Sequence, residues 1–214
     1  THGGGLNQFD QQRDKVTHYL RDIQNPASLS DNDVESIYED SQGTLWIGTF
    51  GGGLNQFDPQ QNRFISYKHD PNDSGSLSED YILTIYEDST QTLWFGTRKG
   101  LNQLERETKQ FIHYQHDETN PSSLSHDEVW ALYEDKAGTL WIGTLDGLNQ
   151  FNRQQKTFVR YHHNAQNPSS LSHNQISAIY EDKQGMLWIG TFGGGLNKFD
   201  RQTGQFHAYR EKDG

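Results

Sequence analysis

One short pattern is written four times in this chain. Ile37-Tyr-Glu-Asp-x-x-Gly-x-Leu-Trp-Ile-Gly-Thr returns, with small departures, from Ile85, Leu132 and Ile179. The anchoring residues Trp46, Trp94, Trp141 and Trp188 stand 48, 47 and 47 positions apart. A period of that size marks a repeat array, in which one supersecondary unit buries its apolar surface only against its neighbours. The chain is therefore expected to be one continuous array over residues 1–214.

Within a repeat the residues read as strands. Ile176-Ser-Ala-Ile-Tyr-Glu-Asp is short and partly β-branched, Leu187-Trp-Ile-Gly-Thr follows a Gly-bearing turn, and Leu196-Asn-Lys-Phe-Asp and Phe206-His-Ala-Tyr complete the unit. Four short runs separated by Gly- and Asp-rich turns, with no helical period, predict a four-stranded antiparallel meander, its strands labelled A to D. Leu187 and Ile189 point to one side of strand B and Trp188 to the other, so both faces need cover. Sheets covered on both faces and repeated at this spacing predict blades packed radially in an all-β propeller. A small residue recurs in strand A (Ser36, Thr84, Ala131, Ala178), as expected where inner strands converge. Asp40, Asp135 and Asp182 precede Gly43, Gly138 and Gly185 by three, which suits a tight A–B turn ending in a left-handed glycine; Asp88 has Gln91 there, so that turn is expected to be strained or reshaped.

The expected division is a half blade at 1–33, holding strands C and D only, then blades at 34–81, 82–128, 129–175 and 176–214. The half blade leaves an open edge. Three arrangements deal with it: the chain is a fragment of a longer propeller; its first two strands complete the fourth blade and displace residues 191–214; or surplus strands pair between chains.

Composition narrows the function. Only 31% of residues are apolar, offset by 12% aromatics, whose periodicity excludes a disordered chain. A net charge of -11 without a basic run argues against nucleic acid and anionic membrane surfaces. There is no cysteine, and no apolar run approaches a membrane span.

The pattern Ile-x-Ala-Ile-Tyr-Glu-Asp-x-x-Gly-x-Leu-Trp-Ile-Gly-Thr-x-Gly-Gly-Gly-Leu-x-x-Phe resembles the two-component regulator propeller repeat, over essentially the whole chain. The resemblance implies the sensor β-propeller of bacterial hybrid histidine kinases, a periplasmic or extracytoplasmic place, and a small-molecule or oligosaccharide ligand. The A–B turn also resembles the Asp-box turn of sialidase propellers, a structural motif there.

The D–A connections are expected to share a face with the B–C loops and to set a polar ring at the channel mouth: Asp31, Asn32, Glu79, Asp80, His126, Asp127, His173 and Asn174, with Trp130 lining the channel or filling a blade interface. Against this stands a turn-capping role for the same Ser, Asn and Asp residues. Ser125-His126-Asp127 is no catalytic triad, because neighbours in an extended segment point to opposite faces. His69, His116 and His163 recur one per blade as solvated rim residues, too far apart for a metal. No cofactor, metal or catalytic residue is expected. The reading is a non-enzymatic, ligand-binding sensor module. Its alternatives are a natural or engineered self-assembling fragment, homo-oligomeric through its edges, and, more remotely, a propeller hydrolase or lyase.

Overall fold

The computed structural model describes residues 2–210; residue 1 and residues 211–214 of the expected first and last segments lie outside the described residues. Among the described residues every regular element is a strand. The half blade holds β1 (Leu6–Asp10) and β2 (Lys15–Tyr19). Blade 1 holds β3 (Val34–Glu39), β4 (Leu45–Thr49), β5 (Leu54–Asp58) and β6 (Arg63–Tyr67), and blade 2 holds β7 (Ile82–Glu87), β8 (Leu93–Thr97), β9 (Gly100–Glu105) and β10 (Gln110–Tyr114). Blade 3 holds β11 (Val129–Glu134), β12 (Leu140–Thr144), β13 (Gly147–Asn152) and β14 (Thr157–Tyr161); blade 4 holds β15 (Ile176–Glu181), β16 (Leu187–Thr191), β17 (Gly195–Asp200) and β18 (Gln205–Tyr209). Each blade is one four-stranded sheet in chain order, and β1 and β2 form a two-stranded sheet of their own. The all-β, four-stranded blade architecture is thus the one expected.

The described residues up to Arg98, with Asn102–Ile112, form one compact unit; Lys99–Leu101 with the residues from His113 onward form a second. Each has its own core. In the first, Trp46, Leu54, Leu77, Ile85, Phe95 and Phe111 pack together; in the second, Trp141, Leu148, Leu171, Ile179, Ile189 and Phe206 do so. β17 and β18 stay paired within blade 4, so the arrangement in which the N-terminal strands displace residues 191–214 is not adopted. β1 keeps its open inner edge. Ile37, next to that gap, is 54% exposed, whereas its counterpart Ile85 is 7% exposed.

The A–B turn explains the repeated Asp and Trp together. One carboxylate oxygen of Asp40 accepts the amide N–H of Gln42 and Thr44, and the other accepts the Trp46 indole N–H at 3.0 Å. The equivalent indole bonds are 2.7 Å at Asp88–Trp94, 2.7 Å at Asp135–Trp141 and 2.8 Å at Asp182–Trp188. At Gln91 the turn keeps its shape, since the Gln91 N–H reaches the Asp88 carbonyl at 2.8 Å as the Gly43 N–H reaches that of Asp40 at 2.9 Å. Gln91 meets that geometry at φ 63°, a left-handed conformation that costs a residue with a Cβ about 1 kcal/mol. Of the two expectations for this turn, strain is the outcome and reshaping is not.

In the structure the small residues of strand A pack against strand B. They face a glycine of strand B, Ser36 on Gly48 and Ala131 on Gly143, and the isoleucine of the next blade closes over that glycine. A Cβ on Gly48 would lie 2.3 Å from Ser36 Oγ and 2.7 Å from Ile82 Cγ2; one on Gly143 would lie 2.5 Å from Ile176 Cγ2. Close approach between blades sets the size limit at these two glycines.

A buried ion network also ties neighbouring blades. Arg106 places Nη1 2.9 Å from Asp40 and Nη2 2.6 Å from Glu87, both carboxylates being nearly buried. Arg201 repeats this in the second unit, 3.0 Å from Asp135 and 3.0 Å from Glu181. For Asp40, burial pushes the carboxyl up, but the hydrogen bonds from Trp46, Thr44, Arg106 and Gln42 together outweigh it and hold the group below its ordinary value of 3.8.

Candidate functional site

The D–A and B–C loops meet on one face of each unit, joined by backbone. The Gly53 N–H donates to the Asp80 carbonyl at 2.9 Å, that of Gly100 to Asp127 at 2.7 Å and that of Gly147 to Asn174 at 2.8 Å. The same residues use their side chains to hold the preceding loop. The amide N–H of Arg21, His69, His116 and His163 donates to the side-chain oxygen of Asn32, Asp80, Asp127 and Asn174, at 2.7, 2.7, 2.7 and 2.6 Å. Half of the sequence-predicted ring thus acts as a set of turn ties.

The other half is less committed. Asp31 caps the Asp33 N–H and lies 3.7 Å from Arg21, and Glu79 caps the Asp80 N–H. His126 and His173 accept the backbone N–H of Glu128 and Gln175 at Nδ1, so the neutral ring carries its proton on Nε2 and presents it as a donor. Asp31, Asn32, Glu79 and Asp80 belong to the first unit; His126, Asp127, Trp130, His173 and Asn174 belong to the second.

Trp130 occupies the bulged position of its strand, where the register shifts between Val129 and Ala131. A bulge re-aims the side chain. Trp130 packs edge-on against Phe192 at 6.3 Å, and its buried indole N–H meets no acceptor among the described residues.

The rim histidines are less free than expected. The rings of His69, His116 and His163 place Nδ1 2.7, 2.8 and 2.7 Å from the carbonyls of Leu77, Leu124 and Leu171, which requires the proton on Nδ1. They are loop ties that pin the fully buried leucines between blades. The three residues in triad order do not bond one another: Ser125 bonds Asn149 and Thr144, while His126 and Asp127 bond backbone elsewhere.

Sequence reasoning missed a cluster on the loop face of the first unit. The Arg98 guanidinium carbon lies 5.0 Å from the ring centres of both Phe50 and Tyr81, which themselves meet edge-on at 4.6 Å. Arg98 is exposed and, among the described residues, makes no ion pair or hydrogen bond, so its donors are open to solvent while the two mutually perpendicular rings flank its guanidinium. The signal lay in the B–C loops: position 98 is Phe50, Leu145 and Phe192 in the other blades. A lone cation there stood out only against that alignment.

The segments 28–51, 76–99, 123–146 and 170–193 match the model of the two component regulator propeller family. The chain carries four two-component regulator propeller repeats. Each matched segment runs from the Leu-Ser of a D–A loop, through the Asp turn and its Trp, into the B–C loop, so the family signature is the junction network described above. Among solved structures, the regulator propeller is similar to the extracellular domain of BT3049 from B. thetaiotaomicron, described as a hybrid two component system, with 30% identity, a TM-score of 0.76 and coverage of 90% of this chain and 27% of that one. The extracellular domain of BT4673 from the same organism, described as a one component system, gives 24% identity and a TM-score of 0.68 over 96% of this chain and 35% of that one. Virginiamycin B lyase from Staphylococcus aureus shares the fold at 14% identity, with a TM-score of 0.67 over 97% of this chain and 63% of that one. The chain thus spans about a third or less of the first two structures. No curated protein matches its sequence.

Proposed function

We propose that this regulator propeller is a non-catalytic, extracytoplasmic sensor module that takes a small polar or carbohydrate ligand on its loop face, and that the ligand carries a carboxylate. The observation behind this reading is the Arg98 clamp. A guanidinium flanked by Phe50 and Tyr81, with unpaired donors, suits a carboxylate, and the rim of the two rings suits the apolar face of a sugar. Its position on the loops, where blades differ while their sheets do not, supports recognition rather than folding as its role. The similarity to the extracellular domain of a hybrid two component system supports the location. Uronic-acid oligosaccharides are expected to raise the melting temperature by a few degrees, and their neutral counterparts to do so much less. Equal shifts for both, or none, would remove the carboxylate reading.

The scaffold reading has an observation of its own. Tyr19 packs edge-on against Phe57 and Phe64 of the next blade, and Tyr161 against Phe199 and Phe206. The array ends leave both halves of that contact bare: Phe9 is 60% and Val16 45% exposed at one end, Leu196 42% and Tyr209 45% at the other, against 0% for Leu54 and Leu148 inside. A second copy can therefore add head to tail, though weakly, since the half blade offers only two strands. Phe9→Lys and Leu196→Lys should each abolish concentration-dependent association seen by light scattering, and mixing the two should restore a dimer. A chain that stays monomeric at all concentrations sinks this reading.

A further inference from the structure

The D–A loops that lead into blades 3 and 4 are the same, Asn120-Pro-Ser-Ser-Leu-Ser-His126 and Asn167-Pro-Ser-Ser-Leu-Ser-His173. The two loops also share their internal bonds. The Ser123 N–H reaches the Asn120 carbonyl at 3.1 Å and that of Ser170 the Asn167 carbonyl at 3.0 Å; Phe158 and Phe206 bond the carbonyls of Ser122 and Ser169, each at 2.8 Å. Their backbones are therefore held alike. What differs is the strand-D residue facing each loop, Arg160 in one and Ala208 in the other.

In blade 3 the Arg160 guanidinium fills the hollow of the loop. Its Nε donates to the Ser123 carbonyl at 2.6 Å, and Nη2 donates to the Asn120 carbonyl at 2.9 Å and to Ser123 Oγ. In blade 4 the side chain stops at the Ala208 Cβ, and a cavity of about 530 Å³ opens, lined among others by Asn167, Ser170, Leu171, His207, Ala208 and Arg210. The acceptors that hold a guanidinium in blade 3 recur here as the carbonyls of Asn167 and Ser170 and the Ser170 hydroxyl. We propose that this groove binds the guanidinium group of an external ligand, in the pose that Arg160 takes within its own blade.

Two features set the strength. The chain's net charge of -11 favours a cation, whereas Arg210 and His207 at the rim oppose it. The loop also begins at Asn164 where blade 3 has Asp117, so one carboxylate is missing. Intramolecular Arg160 further benefits from a tether that a free ligand lacks. Affinity for a small guanidinium compound is thus expected at about the millimolar level.

The test is a titration of the isotope-labelled chain with agmatine, reading the amide resonances of residues 164–172, with urea at equal concentration as the uncharged control. Saturable shifts with agmatine and none with urea are expected in the native chain. Ala208→Arg should abolish them, because its own guanidinium fills the groove. Arg160→Ala should open a second site, seen as new shifts over residues 117–125 and a melting temperature that agmatine restores. A glycyl-arginyl-glycine amide binding tenfold tighter than agmatine would mark a polypeptide arginine as the source, and equal binding a small free cation. No saturable shift in the native chain up to about 50 mM agmatine, or undiminished binding in Ala208→Arg, would overturn the proposal.

Discussion

Replacing Arg106 with alanine should destabilise the first unit by about 3 kcal/mol, measured as a shift in chemical denaturation at neutral pH. The guanidinium sits between Asp40 and Glu87, whose side chains are 0% and 6% exposed, and it also donates to the Gln91 carbonyl at 3.2 Å. Removing it leaves two buried carboxylates without their cation, the situation in which breaking an ion pair costs most. Arg106 is itself 27% exposed, so water screens part of the loss and the lower end of the usual range applies. A loss below about 1 kcal/mol would mean that the pair behaves as a surface contact.

The same variant carries a pH signature. Asp40 is held below its unfolded value of 3.8, so its contribution to stability is fully present above that value and fades as pH falls through the folded value beneath it. Arg106 is one of the groups that lower it. Without Arg106 the folded value moves up, the contribution shrinks, and acid destabilisation sets in at higher pH. Denaturation midpoints followed from about pH 6 down to pH 3 check the sign. An acid limb that moves the other way contradicts the account of the network.

Asn149→Ala is expected to cost about 3 kcal/mol, with a comparable drop at the equivalent positions. Asn149 is fully buried. Its oxygen accepts the Ser125 N–H at 2.9 Å, and its amide donates to Ser125 Oγ at 2.8 Å and to the Ile142 carbonyl at 3.3 Å. Truncation leaves a buried backbone donor unpaired and opens a small cavity, two penalties that add. The reciprocal pair recurs as Ser30–Asn55, Ser78–Asn102 and Ser172–Asn197. This bond explains why both the Leu-Ser and the Leu-Asn pairs appear in every blade. Loss of less than about 1 kcal/mol in denaturation would show that the loop rearranges to satisfy Ser125.

The fold was legible because its determinants are local and repeated. Trp at a fixed period, Asp before a tight turn and short apolar runs each specify a strand or a turn without reference to anything distant. The site was less legible because its residues gain their roles from partners the sequence does not mark, some across the same loop and some one blade away. Asp127 looks like a free carboxylate in the sequence, yet it holds the His116 amide eleven residues earlier. His116 looks like a solvated rim residue and instead bonds the Leu124 carbonyl. Arg106 and Arg201 follow a common turn pattern, so nothing nearby shows that they reach back to the Asp turn of the preceding blade. Arg98 and Ala208 are informative only as departures from the other copies, and their meaning rests on rings and carbonyls brought near by folding.

The most direct test of the sensor reading is calorimetric titration of a uronic-acid oligosaccharide into the native chain, Arg98→Ala and His126→Ala side by side. Binding by the native chain, lost at least tenfold in Arg98→Ala while that variant melts at the native temperature, is the result predicted. Undiminished binding in Arg98→Ala would place recognition elsewhere and contradict the account.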